Sequence, residues 1–254
     1  MQFVPRFQDW LTRRAKRSPG SSPDVPPPPI NLKTIAPADV RRALAQALHD
    51  GGEAPGFELS SGPALVRTVG DWTHRIEVRA YSRYNLRGES ARTELGAVVV
   101  NRRLKQYERR RGYEQSPGYM WALSGLNLQR DPIDPVRDGW RDAYLLARKI
   151  LVEDWLPVLD RFQGDDWLER LRELADPEVP WPSSALELLL ADGDEAGAAL
   201  HLDWLSRLRP ELLDWIREDL AQGAPPAGTA RSTAGFKIAD VLRAYKCEQL
   251  ISPG

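Results

Sequence analysis

The chain has 254 residues, 42% of them hydrophobic and 28% charged, and a single cysteine, Cys247. This is an ordinary globular composition, with no internal disulfide and no apolar run near the ~18 residues a bilayer-spanning helix needs. The net charge of −1 hides a division: residues 31–130 carry +6, whereas residues 131–222 carry 10 basic and 22 acidic side chains. Such asymmetry bears on partners more than on fold.

In chain order, residues 1–17 place Phe3, Phe7, Trp10 and Leu11 at helical spacing, followed by Arg13, Arg14, Lys16 and Arg17. The stretch has no continuous apolar core and no small-residue cleavage site, so it is not expected to be a signal peptide, and a cytoplasmic protein is the natural reading. It reads as an amphipathic arm that either docks on a partner or a membrane surface or folds back on its own domain. The segment SPGSSPDVPPPP that follows is a semi-rigid polyproline linker with no means of packing a core. Residues 37–50 read as a helix, opened by Pro37 and stopped by Gly51-Gly52, with Val40, Leu44 and Leu48 on one face. The period then changes to two. GFELSSGPALVRTV, THRIEVRAY, TELGAVVV and GYMWALSGLNL read as consecutive strands, with Ile76, Val78 and Ala80 inward and Arg75, Glu77 and Arg79 outward. Strands that follow one another without helices between them argue for an antiparallel sheet.

From Pro135 the period is helical again. Trp140, Tyr144, Ala147, Leu151, Trp155 and Val158 form one stripe, which Pro157 should kink or break. Helices are expected at 166–175, 185–191, 195–208 and 211–221, and a last one from Phe236 to Leu250 after a small-residue link. Ser184 and Glu187 have the spacing of a capping box. The phrase Asp166-Trp167-Leu168-Glu169-Arg170-Leu171-Arg172 recurs 37 residues later from Asp203 to Arg209, with fainter copies at Asp154 and Asp214. That period fits stacked helical hairpins, and compositional bias is the competing explanation. The expected architecture is α+β: an antiparallel sheet packed on a long helix over 31–162, then an α-helical hairpin extension over 163–222. It is flanked by the arm and linker at 1–30 and by a linker and C-terminal helix at 223–254.

Few residues look like chemistry. His49, His74 and His201 stand outside any zinc-ligand spacing, and no phosphate-binding loop or nucleophile elbow is present, so no metal, cofactor or catalytic residue is expected. Asp71, Glu77 and Arg79 are the one pattern that could serve a metal-dependent nuclease, in degenerate form, and alternating charges on a wet strand produce the same pattern. The run Arg102-Arg103-Leu104-Lys105-Gln106-Tyr107-Glu108-Arg109-Arg110-Arg111 connects two strands, with a short helical piece through Leu104 and Tyr107. Its basic residues Arg102, Arg103, Lys105, Arg109, Arg110 and Arg111 allow four readings. They are a nucleic-acid grip, a protein-binding patch, a solvated arm, or a patch that meets the chain's own acidic helices.

Residues 37–162, with the strand start Gly56-Phe57, the arginine-rich wet strand faces and the phrase Leu156-Pro157-Val158-Leu159-Asp160-Arg161-Phe162, resemble the bacterial family called "domain of unknown function 4304". The resemblance implies proteins encoded near polymorphic toxins, with an immunity or interaction role rather than catalysis. The expected function is therefore a non-enzymatic binding protein, an immunity protein or adaptor. Its acidic helices would capture a basic protein partner, such as a nucleic-acid-cutting toxin, through Asp165, Asp166, Glu169, Asp194 and Asp203. A nucleic-acid-binding accessory protein using residues 102–111 and a degenerate metal-dependent nuclease are the alternatives, and the oligomeric state is open.

Overall fold

The computed structural model describes residues 25–28, 31–32, 34–81, 85–111, 119–124, 132–164, 166–174, 182–222 and 234–251. It is an α+β chain. Helix α1 (Pro37–Asp50) precedes strands β1 (Glu58–Leu59), β2 (Ala64–Val69), β3 (Trp72–Ala80) and β4 (Thr93–Asn101). Helix α2 (Arg102–Arg110) and strand β5 (Tyr119–Ser124) follow, then α3 (Trp140–Lys149), a π-helical segment (Ile150–Trp155) and α4 (Leu156–Leu159). The rest is helical: α5 (Trp167–Leu174), α6 (Pro182–Ala191), α7 (Glu195–Leu208), α8 (Glu211–Ala221), α9 (Ala234–Tyr245) and a 3₁₀ turn at Glu248–Leu250. No described helix is long and apolar enough to cross a membrane.

Contacts divide the chain into two compact units, residues 1–100 with 121–174, and residues 101–120 with 175–254. This differs from the division expected from sequence. The first unit extends to 174 rather than 162. The basic run and the C-terminal helix both belong to the second unit, where α9 packs on α6 and α8.

In the first unit the strands lie in sequence order, and β2 pairs antiparallel with β3 so that Leu65 faces Ile76 and Arg67 faces His74. Trp72, His74, Ile76 and Val78 are buried, and the residues between them are partly wet, which is the alternation of a one-sided sheet. Ala80, expected inward, is exposed at the strand end. Helix α1 buries Val40, Leu44, Ala45, Ala47 and Leu48 and packs against β1, β2, β3 and α3. Its stop is steric as well as conformational: a Cβ on Gly51 would collide with the Tyr144 hydroxyl, and Gly52 takes a left-handed φ of 70°. The Tyr144 hydroxyl donates to Glu53 at 3.1 Å, and Arg148 pairs with the same carboxylate at 2.6 Å. Burial first, then the Glu53 charge, push the Tyr144 phenol up to about 12, so it remains a donor.

The stripe from Trp140 to Phe162 is buried as expected, with Trp155, Val158, Leu159 and Phe162 fully so. Pro157 does not end it. The turn before the proline widens to π spacing over Ile150–Trp155, and α geometry resumes at Leu156. A proline lacks the N–H for the bond to the carbonyl four residues back and its ring crowds that carbonyl, and a wider turn relieves both. The proline linker also does more than span. The Trp140 indole N–H donates to the Pro26 carbonyl at 2.8 Å, so residues 25–28 touch the first unit's core stripe.

Trp155 is 0% exposed. Trp155→Ala is expected to cost about 3–5 kcal/mol, the range for deleting a large core aromatic, read as a lower urea midpoint with an unchanged slope.

Candidate functional site

The most specific phrase of the sequence resemblance, Leu156 to Phe162, has a structural task in the first unit. His74 on β3 is fully buried and donates from Nε2 to the Phe162 carbonyl at 2.9 Å. Its Nδ1 accepts from the Arg67 guanidinium, whose Nη2 lies 3.0 Å away. Arg67 in turn pairs with Asp160 at 2.6 Å and covers the Phe57 ring at 4.6 Å. The Phe162 ring tilts against Trp72, and Trp72 against Trp167 of α5. Burial, the largest cause, lowers the His74 pKa to about 4, and the neutral Nε2–H tautomer is the one that satisfies both neighbours. Histidine, arginine and aspartate thus fasten the end of the long helix to the sheet. They are structural, and His74 lies on the buried face of β3, opposite to Glu77 and Arg79. Glu77 spends one oxygen on Arg75 and the other on Arg79, both at 2.6 Å.

The second unit answers the question of the basic run. Asn101 caps α2 by accepting from the backbone N–H groups of Arg103 and Leu104. Leu104 is buried, which turns one face of α2 onto α6. Arg103 pairs with Asp192 just past the end of α6, and the Tyr107 hydroxyl donates to the same oxygen at 3.2 Å. Arg111 binds Glu187 in fork geometry, at 2.6 Å and 2.5 Å, and its third nitrogen reaches Asp240 of α9 at 2.8 Å. Arg110 lies 5.9 Å over the Tyr107 ring. Arg102 and Arg109 are exposed and Lys105 is half-buried. The run is therefore a helix that meets the chain's own acidic helices, and Arg103 and Arg111 are committed there.

Glu187 is 1% exposed. It is not the arm of a capping box, since α6 begins at Pro182 and the carboxylate turns to Arg111. Burial raises its pKa above the ordinary 4.5, against the pull of Arg111. The Tyr245 phenol beside it is pushed up to about 12, chiefly by burial. Tyr107, Arg110, Arg111, Ala191, Ala244 and Tyr245 line a cleft of about 260 Å³.

The five acids expected to receive a partner are divided between the two units. Asp165 lies outside the described residues. Asp166 and Glu169 are exposed in the first unit, and Asp166 pairs with Arg170 at 3.0 Å. Asp194 and Asp203 belong to the second unit. Asp194 caps α7 by accepting from the Gly197 N–H at 2.8 Å, and Asp203 pairs with Arg207. The 37-residue echo is accounted for by these pairs. Asp166 precedes the first turn of α5 whereas Asp203 sits in the third turn of α7, so the two copies occupy different places in their helices. Their tryptophans differ too, Trp167 against Trp72 and Trp204 stacked on His201 at 5.5 Å. What recurs is an aspartate with an arginine three or four residues on, seen again in Asp214 and Arg217 at 3.1 Å.

Sequence reasoning passed over Trp215. It is 43% exposed on α8, with Glu211 one turn before it and Glu218 one turn after it on the same ridge, all exposed, while Leu212 and Ile216 are buried on the other side. No family model, curated protein or solved structure matches the chain.

Two pH dependences follow. His74 must stay neutral in the fold, so its contribution is complete above pH 6.5 and is lost as pH falls through 6.5 towards 4, by roughly 3 kcal/mol in all. Urea melts at pH 7.0, 5.5 and 4.5 should show that loss, and His74→Gln should flatten it. Glu187 has the opposite sign: its raised pKa favours the fold below pH 4.5, and that gain is lost as pH rises through the raised value. Arg111→Ala removes the buried carboxylate's main partner and is expected to cost about 3–5 kcal/mol at neutral pH, growing with pH. The double variant R111M/E187L should recover most of it, because a paired deletion leaves no buried charge.

Proposed function

We propose that the chain is a non-enzymatic binding protein, in the role of an immunity protein or adaptor of the bacterial cytoplasm, that captures a basic protein partner on the acidic outer face of α8. The observation that carries this reading is Trp215, a large aromatic left 43% exposed between Glu211 and Glu218. A tryptophan is the residue type that most often anchors an interface, and it works when ringed by polar groups that keep water out. The carboxylates around it supply the sign of the partner. They would draw a basic surface in quickly and orient it, adding more to the association rate than to the final affinity. Asp203 and Asp214 are each held by an arginine of their own helix, and exposed pairs of that kind are worth so little that a partner's cation can replace it.

The alternative, a nucleic-acid grip at residues 102–111, has less support. Arg103 and Arg111 are held by Asp192, Glu187 and Asp240, so two of the run's cations are turned towards carboxylates of the chain itself rather than offered to phosphates.

The test is recovery of a bound protein from the host cell with the tagged wild-type chain, with Trp215→Ala, and with the double variant E211K/E218K. The expected result is one basic protein retained by the wild type and lost from both variants, with an association rate for the purified pair that falls as salt rises from low to physiological strength. Equal retention by all three chains, or a rate indifferent to salt, defeats the proposal.

A further inference from the structure

Helix α7 turns Ala198, His201, Leu202 and Leu205 to the core of the second unit. Its opposite side is open and apolar. Leu200 there is 63% exposed, the most of any large apolar side chain among the described residues. Ala196, one turn before it, is exposed, and Trp204, one turn after it, is half-buried and stacked on His201. Residues four apart form one ridge of a helix. This ridge therefore runs from small to large, from Ala196 through Leu200 to Trp204.

Charge changes along the helix in the same order. Exposed Asp194 caps the N-terminal end, and exposed Arg207 stands in the last turn, beside its own Asp203. Size and charge both reverse about Leu200. A surface that is complementary to itself after a half-turn is what a two-fold contact between identical chains requires.

We propose that two copies of the chain associate through this side of α7, antiparallel, with Leu200 of each on the two-fold axis. Residues equally far before and after Leu200 then face one another. Each Trp204 covers the Ala196 of the other copy, and each Asp203 meets a Gly197, which has no side chain to crowd it. At 1.5 Å per residue, Asp194 lies about 9 Å and Arg207 about 11 Å from Leu200 along the axis. Each Arg207 therefore comes beside the other copy's Asp194, and a shallow crossing of about 20° keeps both ends in reach. A parallel pair would set Trp204 on Trp204 and Asp203 on Asp203, large on large and like charge on like. One ridge per copy buries less than the roughly 1,200 Å² of a standard stable interface, so the pair forms by a concentration-dependent equilibrium.

The test is sedimentation velocity of the full chain from about 1 µM to about 500 µM. The average mass should rise from 28.6 kDa towards twice that value. Leu200→Asp, a change at an exposed position, should keep the thermal midpoint and weaken association by about tenfold or more. Leu200→Cys should link two copies on mild oxidation, because its two positions meet at the axis. Ala196→Cys should not, since its two positions lie about 12 Å apart along the axis, beyond the roughly 7 Å that a disulfide spans. The native Cys247 is buried. Trp215→Ala should associate as the wild type does, which separates this contact from the proposed partner face. The proposal is overturned if the wild type stays monomeric at the highest concentration or if Leu200→Asp associates equally well. It is also overturned if Ala196→Cys links as fast as Leu200→Cys, or if Trp215→Ala alone abolishes the dimer.

Discussion

A guanidinium buried against a buried carboxylate is the constraint on which the helical unit depends. Once Glu187 lies within the run Leu186 to Leu190, its charge must be met or given up, because ionised groups are stable away from water only when paired and hydrogen-bonded. Arg111 meets it, and in doing so brings the end of α2 to α6, with Asp240 drawing in α9. The placement of the end of α2 against α6 and α9 and the withdrawal of Arg111 from the surface follow from that requirement.

The division between a basic front and an acidic back of the chain therefore has an internal use. Arg103 and Arg111 come from the basic stretch, and Asp192, Glu187 and Asp240 from later helices. The sheet unit repeats the economy on a smaller scale, where Arg67 of β2 joins His74 and Asp160. Surplus charge is left over on α8, where acids surround an exposed aromatic and no core demand explains them.

Much of the architecture was legible because it rests on periodicity. The alternation of β3, the full apolar run of β4, and the ranges of α7 and α8 are direct readings of where apolar residues fall. The candidate site was less legible, because pairing across distant segments has no period. Nothing near Arg111 indicates a partner 76 residues on. One signal was available: a lone glutamate inside Ala185-Leu186-Glu187-Leu188-Leu189-Leu190 is a charge that the core will bury, although its spacing from Ser184 imitates a capping box. The Asp-Trp-Leu echo misled in the other direction, since a local ion pair with its arginine reproduces a phrase without reproducing a fold. Trp215 gave no warning, because its neighbours follow the same amphipathic pattern as those of a buried tryptophan.

The widened turn before Pro157 also sets a phase. A π segment holds one residue more than the α turn it replaces, so everything after it is rotated about the helix axis by about 100° relative to a regular helix. Asp160 and Phe162 come after it, and they reach Arg67 and His74 only at the present angle. Loss of a single residue between 150 and 155 would give a more regular helix and would aim both groups away from the sheet. The extra residue, the proline, the arginine and the histidine thus act as one device.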